Sequence, residues 1–345
     1  MATLVEPTRT RYGLGFYLKL ILTLGILGFL ATLVDWPELG RVVRNVRPGW
    51  LVLGTLVSLL ALLGVCLRWW TILRIQKVPL SYLHVVKLVC IGQFFSAFLM
   101  GANGGDVVRI FYAIRAVPKE KAKVTLTILV DRFLGIGMLV AWMGAAIPFE
   151  IHRLARDAEL VGRIELLQVL LALGVVAGLI LLFLPYHRLP APIQKLWQKV
   201  PGREVIQKLH ADSKLYLSRW PLSATAVLVA AGVHVCNFTA AYCLALAFGL
   251  EVSFVSMILI VGMIIMAAGA PLSIGGHGIR EVAVITAFTL FEVVPSSREV
   301  CVAYSLLFYL LFQFSWSAVG GLVYLFYSRQ VKLEDASAAA RTTAS

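Results

Sequence analysis

Apolar runs of about twenty residues recur along the 345-residue chain, at roughly 14–35, 50–70, 124–147, 164–184, 222–248 and 301–327. Each matches the length a helix needs to cross a bilayer core. Two further apolar regions, about 82–110 and 254–294, are interrupted by glycine pairs, so each reads as two spans, one span with a loop, or a hairpin that turns back inside the membrane. Between the first two runs of each half the pattern changes to i, i+3, i+4, i+7 spacing. Leu39, Val42, Val43 and Val46 alternate with Arg41, Arg44 and Arg47, and Ile193, Leu196, Trp197 and Val200 with Lys195 and Lys199. That spacing predicts helices lying in the membrane interface.

Loop charge chooses among these topologies. With a cytoplasmic N-terminus and both glycine regions folded as hairpins, most loop Lys and Arg fall on the cytoplasmic side, Arg68 among them. If the first region crosses once and the second crosses as two spans, the balance reverses. The favoured reading is an all-α polytopic membrane protein with about six full spans plus two re-entrant helical hairpins. Each half then runs span, span, hairpin, span from opposite sides, which is an inverted repeat. It comprises a cytoplasmic N-terminus (1–13), one membrane domain (14–327, halves about 14–150 and 160–327) and a disordered cytoplasmic tail (328–345), in a plasma membrane of the bacterial inner-membrane type.

Composition agrees: 60% of residues are hydrophobic and 14% charged. The net charge of +13 therefore belongs to orientation and anionic lipid rather than to nucleic acid. Five cysteines lie inside apolar runs without a C-x-x-C pair, which predicts core residues rather than disulfides or metal ligands.

The candidate chemistry sits at the interruptions. Gly104-Gly105-Asp106-Val107-Val108-Arg109 and Gly275-Gly276-His277-Gly278-Ile279-Arg280 share the spacing Gly-Gly-x-x-x-Arg. Gly104, Gly105, Gly275, Gly276 and Gly278 are expected to form the hairpin turns, since glycine lets a chain reverse where side chains would block it. Asp106, Arg109, His277, Arg280 and Glu281 would then meet near the midplane as a headgroup-binding site. The arginines and the helix N-termini would face phosphate, and the acids would balance the arginines. The plain alternative is that Asp106 and Arg109 neutralise each other and Arg280 pairs with a neighbouring acid.

Asp131 and Arg132 in the following span point about 100° apart, so they reach different partners as interior salt bridges or as a gate. His234 and Asn237, three apart, read as members of an interhelical hydrogen bond. No H-E-x-x-H, Walker loop or nucleophile elbow occurs, and no metal or cofactor is expected.

Gly104-Gly105-Asp106-x-x-Arg109, Asp131-Arg132 and Pro271-x-x-x-Gly275-Gly276-x-Gly278-x-x-Glu281 together resemble the lysylphosphatidylglycerol synthase transmembrane-region family. This is the flippase-like membrane part of the multiple peptide resistance factors, and the resemblance covers about residues 14–327. It implies a module that moves charged or modified phospholipids between leaflets, with the glycine turns and their charged neighbours as working parts. Full synthases carry a soluble aminoacyl-transferase domain after the membrane part, whereas this sequence ends at Ser345, so lysyl transfer is not expected of it. The resulting expectation is a lipid translocase for an anionic or modified phospholipid or polyprenyl-phosphate headgroup. The alternatives are a membrane-embedded transferase acting on a lipid phosphate and a non-catalytic partner of a lipid-modifying enzyme. Membrane lipids are the expected partners, with a homo-oligomer or a separate lipid-modifying enzyme as further ones.

Overall fold

A computed structural model of the protein describes residues 34–98, 104–154, 215–269, 277–294 and 297–326, with isolated positions at 25–32 and 162–174. The first and fourth apolar runs, the second amphipathic segment and Gly275-Gly276 lie largely or wholly outside these residues, as does the tail. The described elements are helical: α1 (Trp36–Arg44), α2 (Pro48–Ile75), α3 (Tyr82–Phe98), α4 (Gly104–Ala116), α5 (Lys121–Leu154), α6 (Trp220–Ala247), α7 (Phe254–Gly269), α8 (Ile279–Leu290) and α9 (Arg298–Tyr309). A π turn at Leu310–Phe314 prolongs α9, and the helix continues to Phe326. Four of these helices, α2, α5, α6 and prolonged α9, are long and apolar enough to cross a membrane.

Short α1 is held from both sides of its sequence pattern. Asp35 caps it by accepting from Glu38 N, and Pro37 sits in its first turn, where a missing N–H costs nothing. Leu39 is buried against Ala303 of α9, while Arg41, Arg44 and Trp36 are exposed. α2 and α6 each start on a proline and then bury small residues. Gly54 approaches α6 so closely that a Cβ there would stand 3.1 Å from the Ala240 carbonyl. Close backbone approach through small residues is how helices gain packing where lipid gives no hydrophobic drive.

Hydrogen bonds fix the direction of each long helix. Arg47 N donates to Ala247 O (2.9 Å) and Arg219 Nη1 to Arg74 O (2.9 Å), so α2 and α6 are antiparallel over their full length. Trp69 Nε1 donates to Thr127 Oγ1 (3.1 Å), pairing the last third of α2 with the first turns of α5. The start of α3 and the end of α4 therefore lie toward one end of the bundle, that of Ile75 and Lys121. At the other end, Ser253 before α7 donates to Glu150 of α5 (2.8 Å), and Asp35 N donates to Glu299 of α9 (3.4 Å). The start of α7 and the end of α8 lie toward that end.

The two halves also interlock reciprocally. Met143 of α5 fills the space at Gly262 of α7, and Phe94 of α3 lies against Gly320 and Gly321 of prolonged α9. Gln313 and Ser317 of α9 donate to the Gln93 carbonyl of α3. α5 thus packs on α7, and prolonged α9 on α3.

Candidate functional site

Gly104 and Gly105 open α4 as its first helical turn, and residues 99–103 lie outside the described residues. Gly105 is needed for approach rather than for reversal, because a Cβ there would collide with Ser96 Oγ and the Gly92 carbonyl of α3. Gly92 answers it: the stem of Arg109 lies over it, and a Cβ would come within 2.6 Å of Arg109 Cγ. Two glycines therefore draw α3 and α4 together and seat the Arg109 side chain in the groove.

There Arg109 joins a buried ionic group. Its Nη1 donates to Asp106 Oδ1 (3.0 Å), its Nη2 stands 3.7 Å from Asp131 Oδ2, and its guanidinium lies 4.3 Å over the Trp69 ring. Asp131 accepts from Arg68 Nε (2.7 Å), and Asp106 accepts from Arg132 Nε (2.5 Å). Asp131 and its neighbour Arg132 thus reach different partners. Among the described residues of this group three arginines face two aspartates, an excess of one positive charge. Arg109 Nε and Nη2 have no hydrogen-bond acceptor among the described residues. A buried charge must be paired or face a wet cavity, and here Arg109 Nη2 meets Asp131 only as an ion pair while Nε has no acceptor. Arg132, with its side chain 45% exposed, is the member of the group open to the outside.

The second group is built the same way with different parts. Gly278 precedes α8 at φ +84°, a left-handed conformation that favours glycine. Its N–H donates to Glu281 Oε2 (2.6 Å). Arg280 Nη2 donates to Glu281 Oε1 (2.7 Å) and Arg280 Nε to Ser305 Oγ (3.1 Å), while Ser305 Oγ donates back to Glu281 Oε1 (3.0 Å). His277 Nδ1 lies 3.2 Å from Arg280 Nη2. The Arg280 guanidinium sits 4.8 Å over Tyr309, whose ring also meets His277 at 4.7 Å. In both halves, then, the motif arginine is clamped between a carboxylate and an aromatic ring from a neighbouring long helix.

Depth separates the two groups. Arg68 stands seven residues from the end of α2, and Ser305 seven residues from the start of α9 at the opposite end. At 1.5 Å per residue these two lie about 10 Å inside opposite ends of the bundle, while Asp131, ten residues into α5, and Arg280, ten residues from the end of α8, lie about 15 Å inside. The Tyr304 hydroxyl donates to Ala241 O of α6 (3.0 Å), six residues from the end of α6. The axial distance between the groups is then about 10–20 Å. The described contacts gather Asp106 and Arg109 in one charged group and His277, Arg280 and Glu281 in the other.

Sequence reasoning missed Arg68, Trp69, Ser305 and Tyr309. Arg68 was counted with the cytoplasmic loop, yet it is buried within α2. Its signal was a lone arginine followed by Trp69-Trp70 in an otherwise apolar run. Among the described residues no cluster of three or more His, Cys, Asp or Glu side chains is arranged to hold a metal ion.

An all-helical bundle with spanning-length helices and charge pairs sealed inside it defines a multi-pass membrane protein. The family described as the lysylphosphatidylglycerol synthase TM region matches residues 16–320, and the chain belongs to that family. No curated protein matches it. Membership connects the chain to membrane lipids.

Proposed function

We propose that the protein is a lipid translocase that passes an anionic or modified phospholipid or polyprenyl-phosphate headgroup between leaflets while the lipid tails stay in the bilayer. In this reading α3–α4 and α7–α8 are re-entrant hairpins entering from opposite faces of an inverted repeat. Both chain termini are cytoplasmic, and the membrane is a plasma membrane of the bacterial inner-membrane type. The end carrying Arg74, Lys77, Lys119, Lys121, Lys123 and Arg219 is the cytoplasmic one, in keeping with the distribution of basic residues in such proteins. Self-association and a separate lipid-modifying enzyme are compatible further partners.

One observation carries the reading: a clamped, buried arginine about 10–15 Å inside each end of a single bundle. A hydrocarbon core is about 30 Å thick, so groups at these depths lie in the acyl region on either side of the midplane. Each is suited to receive phosphate from its own leaflet. Arg109, with unspent donors and the surplus charge, is the stronger anion contact; Arg280 holds Glu281 and Ser305 and must exchange one of them for phosphate.

The test is leaflet exchange of fluorescent phospholipids in liposomes, read by dithionite quenching. Exchange above protein-free liposomes, slowed about tenfold by Arg109→Ala, is the expected result, equivalent to one charge-assisted contact. Arg109→Ala is a clean probe because it leaves Asp106 with Arg132 and Asp131 with Arg68. Exchange no faster than in empty liposomes for every headgroup would favour a transferase or a partner of one.

A further inference from the structure

Between the two charged groups, along the seam of α5 and α6, three buried polar atoms lack hydrogen-bond partners among the described residues: His234 Nδ1, Asn237 Oδ1 and Trp142 Nε1. Such atoms are few in folded proteins, and each needs a physical account. His234 Nε2 lies 2.9 Å from the Gly135 carbonyl. A carbonyl only accepts, so Nε2 carries the proton and Nδ1 is a bare acceptor. Asn237 follows one turn later on α6 with a second bare acceptor. Phe238, beside it, stacks on His234 (centroids 5.9 Å, 27°) and meets Trp142 of α5 edge-on (6.2 Å, 80°). The Trp142 indole N–H can only donate. The seam thus offers two acceptors, the Trp142 donor and the amide donors of Asn237 Nδ2, framed by rings and without a charge of its own.

Its position is central. His234 is fourteen residues from one end of α6 and thirteen from the other, about 20 Å from each. On one side, Arg68 lies over Gly135, the residue whose carbonyl holds His234; a Cβ on Gly135 would be 3.3 Å from Arg68 Nη1. On the other side, Ala241, one turn past Asn237, accepts from Tyr304, the neighbour of Ser305.

The geometry points to a third, uncharged station here: a site for hydroxyl groups, supplied by a lipid headgroup in transit or by water. A hydroxyl fits because it donates to His234 Nδ1 or Asn237 Oδ1 and accepts from Trp142. A phosphate finds no cation in the seam and meets the bare acceptor His234 Nδ1, and an ammonium group faces Arg68 across Gly135. The headgroup form of this inference rests on the translocase reading; the water form does not.

The experiment compares two labelled lipids of equal charge, phosphatidylglycerol with two headgroup hydroxyls and phosphatidylmethanol with none, in the dithionite assay. The proteins are the unmodified chain, His234→Phe, which keeps the ring stack, and Asn237→Leu, with thermal midpoints as a fold control. The expected result is that phosphatidylglycerol crosses about tenfold faster than phosphatidylmethanol, the difference one neutral hydrogen bond makes. Both variants should slow phosphatidylglycerol to the phosphatidylmethanol rate and leave phosphatidylmethanol unchanged. Translocation with the same lipid ratio in the unmodified chain and both variants would overturn the headgroup form while the translocase reading stood.

If neither lipid crosses, the translocase reading fails, and hydroxyl-radical footprinting of the protein in detergent without added lipid judges the site. Oxidation of Trp142 well above that of fully buried Trp69, reduced in His234→Phe, would place water there. Oxidation of Trp142 no greater than that of Trp69 would overturn the station altogether.

Discussion

Arg109 and Asp131 show how a single residue can be surplus or indispensable within one ionic group. Asp131 answers both Arg68 and Arg109, and all three are buried. Removing one partner of a buried pair costs on the order of 3–5 kcal/mol, because a charge is left sealed without compensation. Asp131→Asn is therefore expected to lower the unfolding midpoint in detergent sharply, whereas Arg109→Ala, which removes the excess charge, changes it little. Equal midpoints for the two variants would refute this division of roles. Asp106, Arg109, His277, Arg280 and Glu281 were legible in the sequence because charge is rare among apolar runs. Ser305 and Tyr309 were not, since a serine and a tyrosine in an apolar helix carry no periodic mark. Their role exists only once α9 lies against α8.

Among the helices, glycine spacing decides how closely neighbours approach, and the nature of the atom opposite decides what a substitution does. At Gly320 a Cβ would strike the Cys90 carbonyl, part of the rigid α3 backbone, while at Gly262 it would meet only the flexible thioether of Met143. Gly320→Ala should accordingly destabilise by about 1–3 kcal/mol, the ordinary cost of overpacking, and Gly262→Ala by clearly less as Met143 changes rotamer. Chemical or thermal unfolding of the two variants side by side checks the order, and a larger loss at Gly262 would contradict it. The long apolar runs foretold α2, α5, α6 and α9 because their length and composition suffice. The interrupted regions did not resolve themselves: 82–110 is long enough for one span and glycine-rich enough for a hairpin. Pairing at a distance, Trp69 with Thr127 and Arg219 with Arg74, aligns the long helices around these regions, and no local pattern encodes it.

Among the described helices, α2 to α5 and α6 to α9 follow the same order of long, short, short and long, with α5 packed on α7 and prolonged α9 on α3. The repeat was visible as Gly-Gly-x-x-x-Arg occurring twice, but six residues cannot say how far apart the copies end up. Helix rise sets that distance at about 10–20 Å, and it changes what two lesions should do together. Two arginines gripping one phosphate would contribute to the same barrier, so their losses would multiply: two tenfold defects would combine to about a hundredfold. Two stations in series act as consecutive resistances, and the slower one governs. Arg109→Ala combined with Arg280→Ala is then expected to exchange lipid only about twofold more slowly than two equally impaired single variants. A multiplicative loss in liposome exchange would instead mean that the two ends close around one headgroup at the same moment, which the fixed bonds of α2 to α6 at both ends oppose.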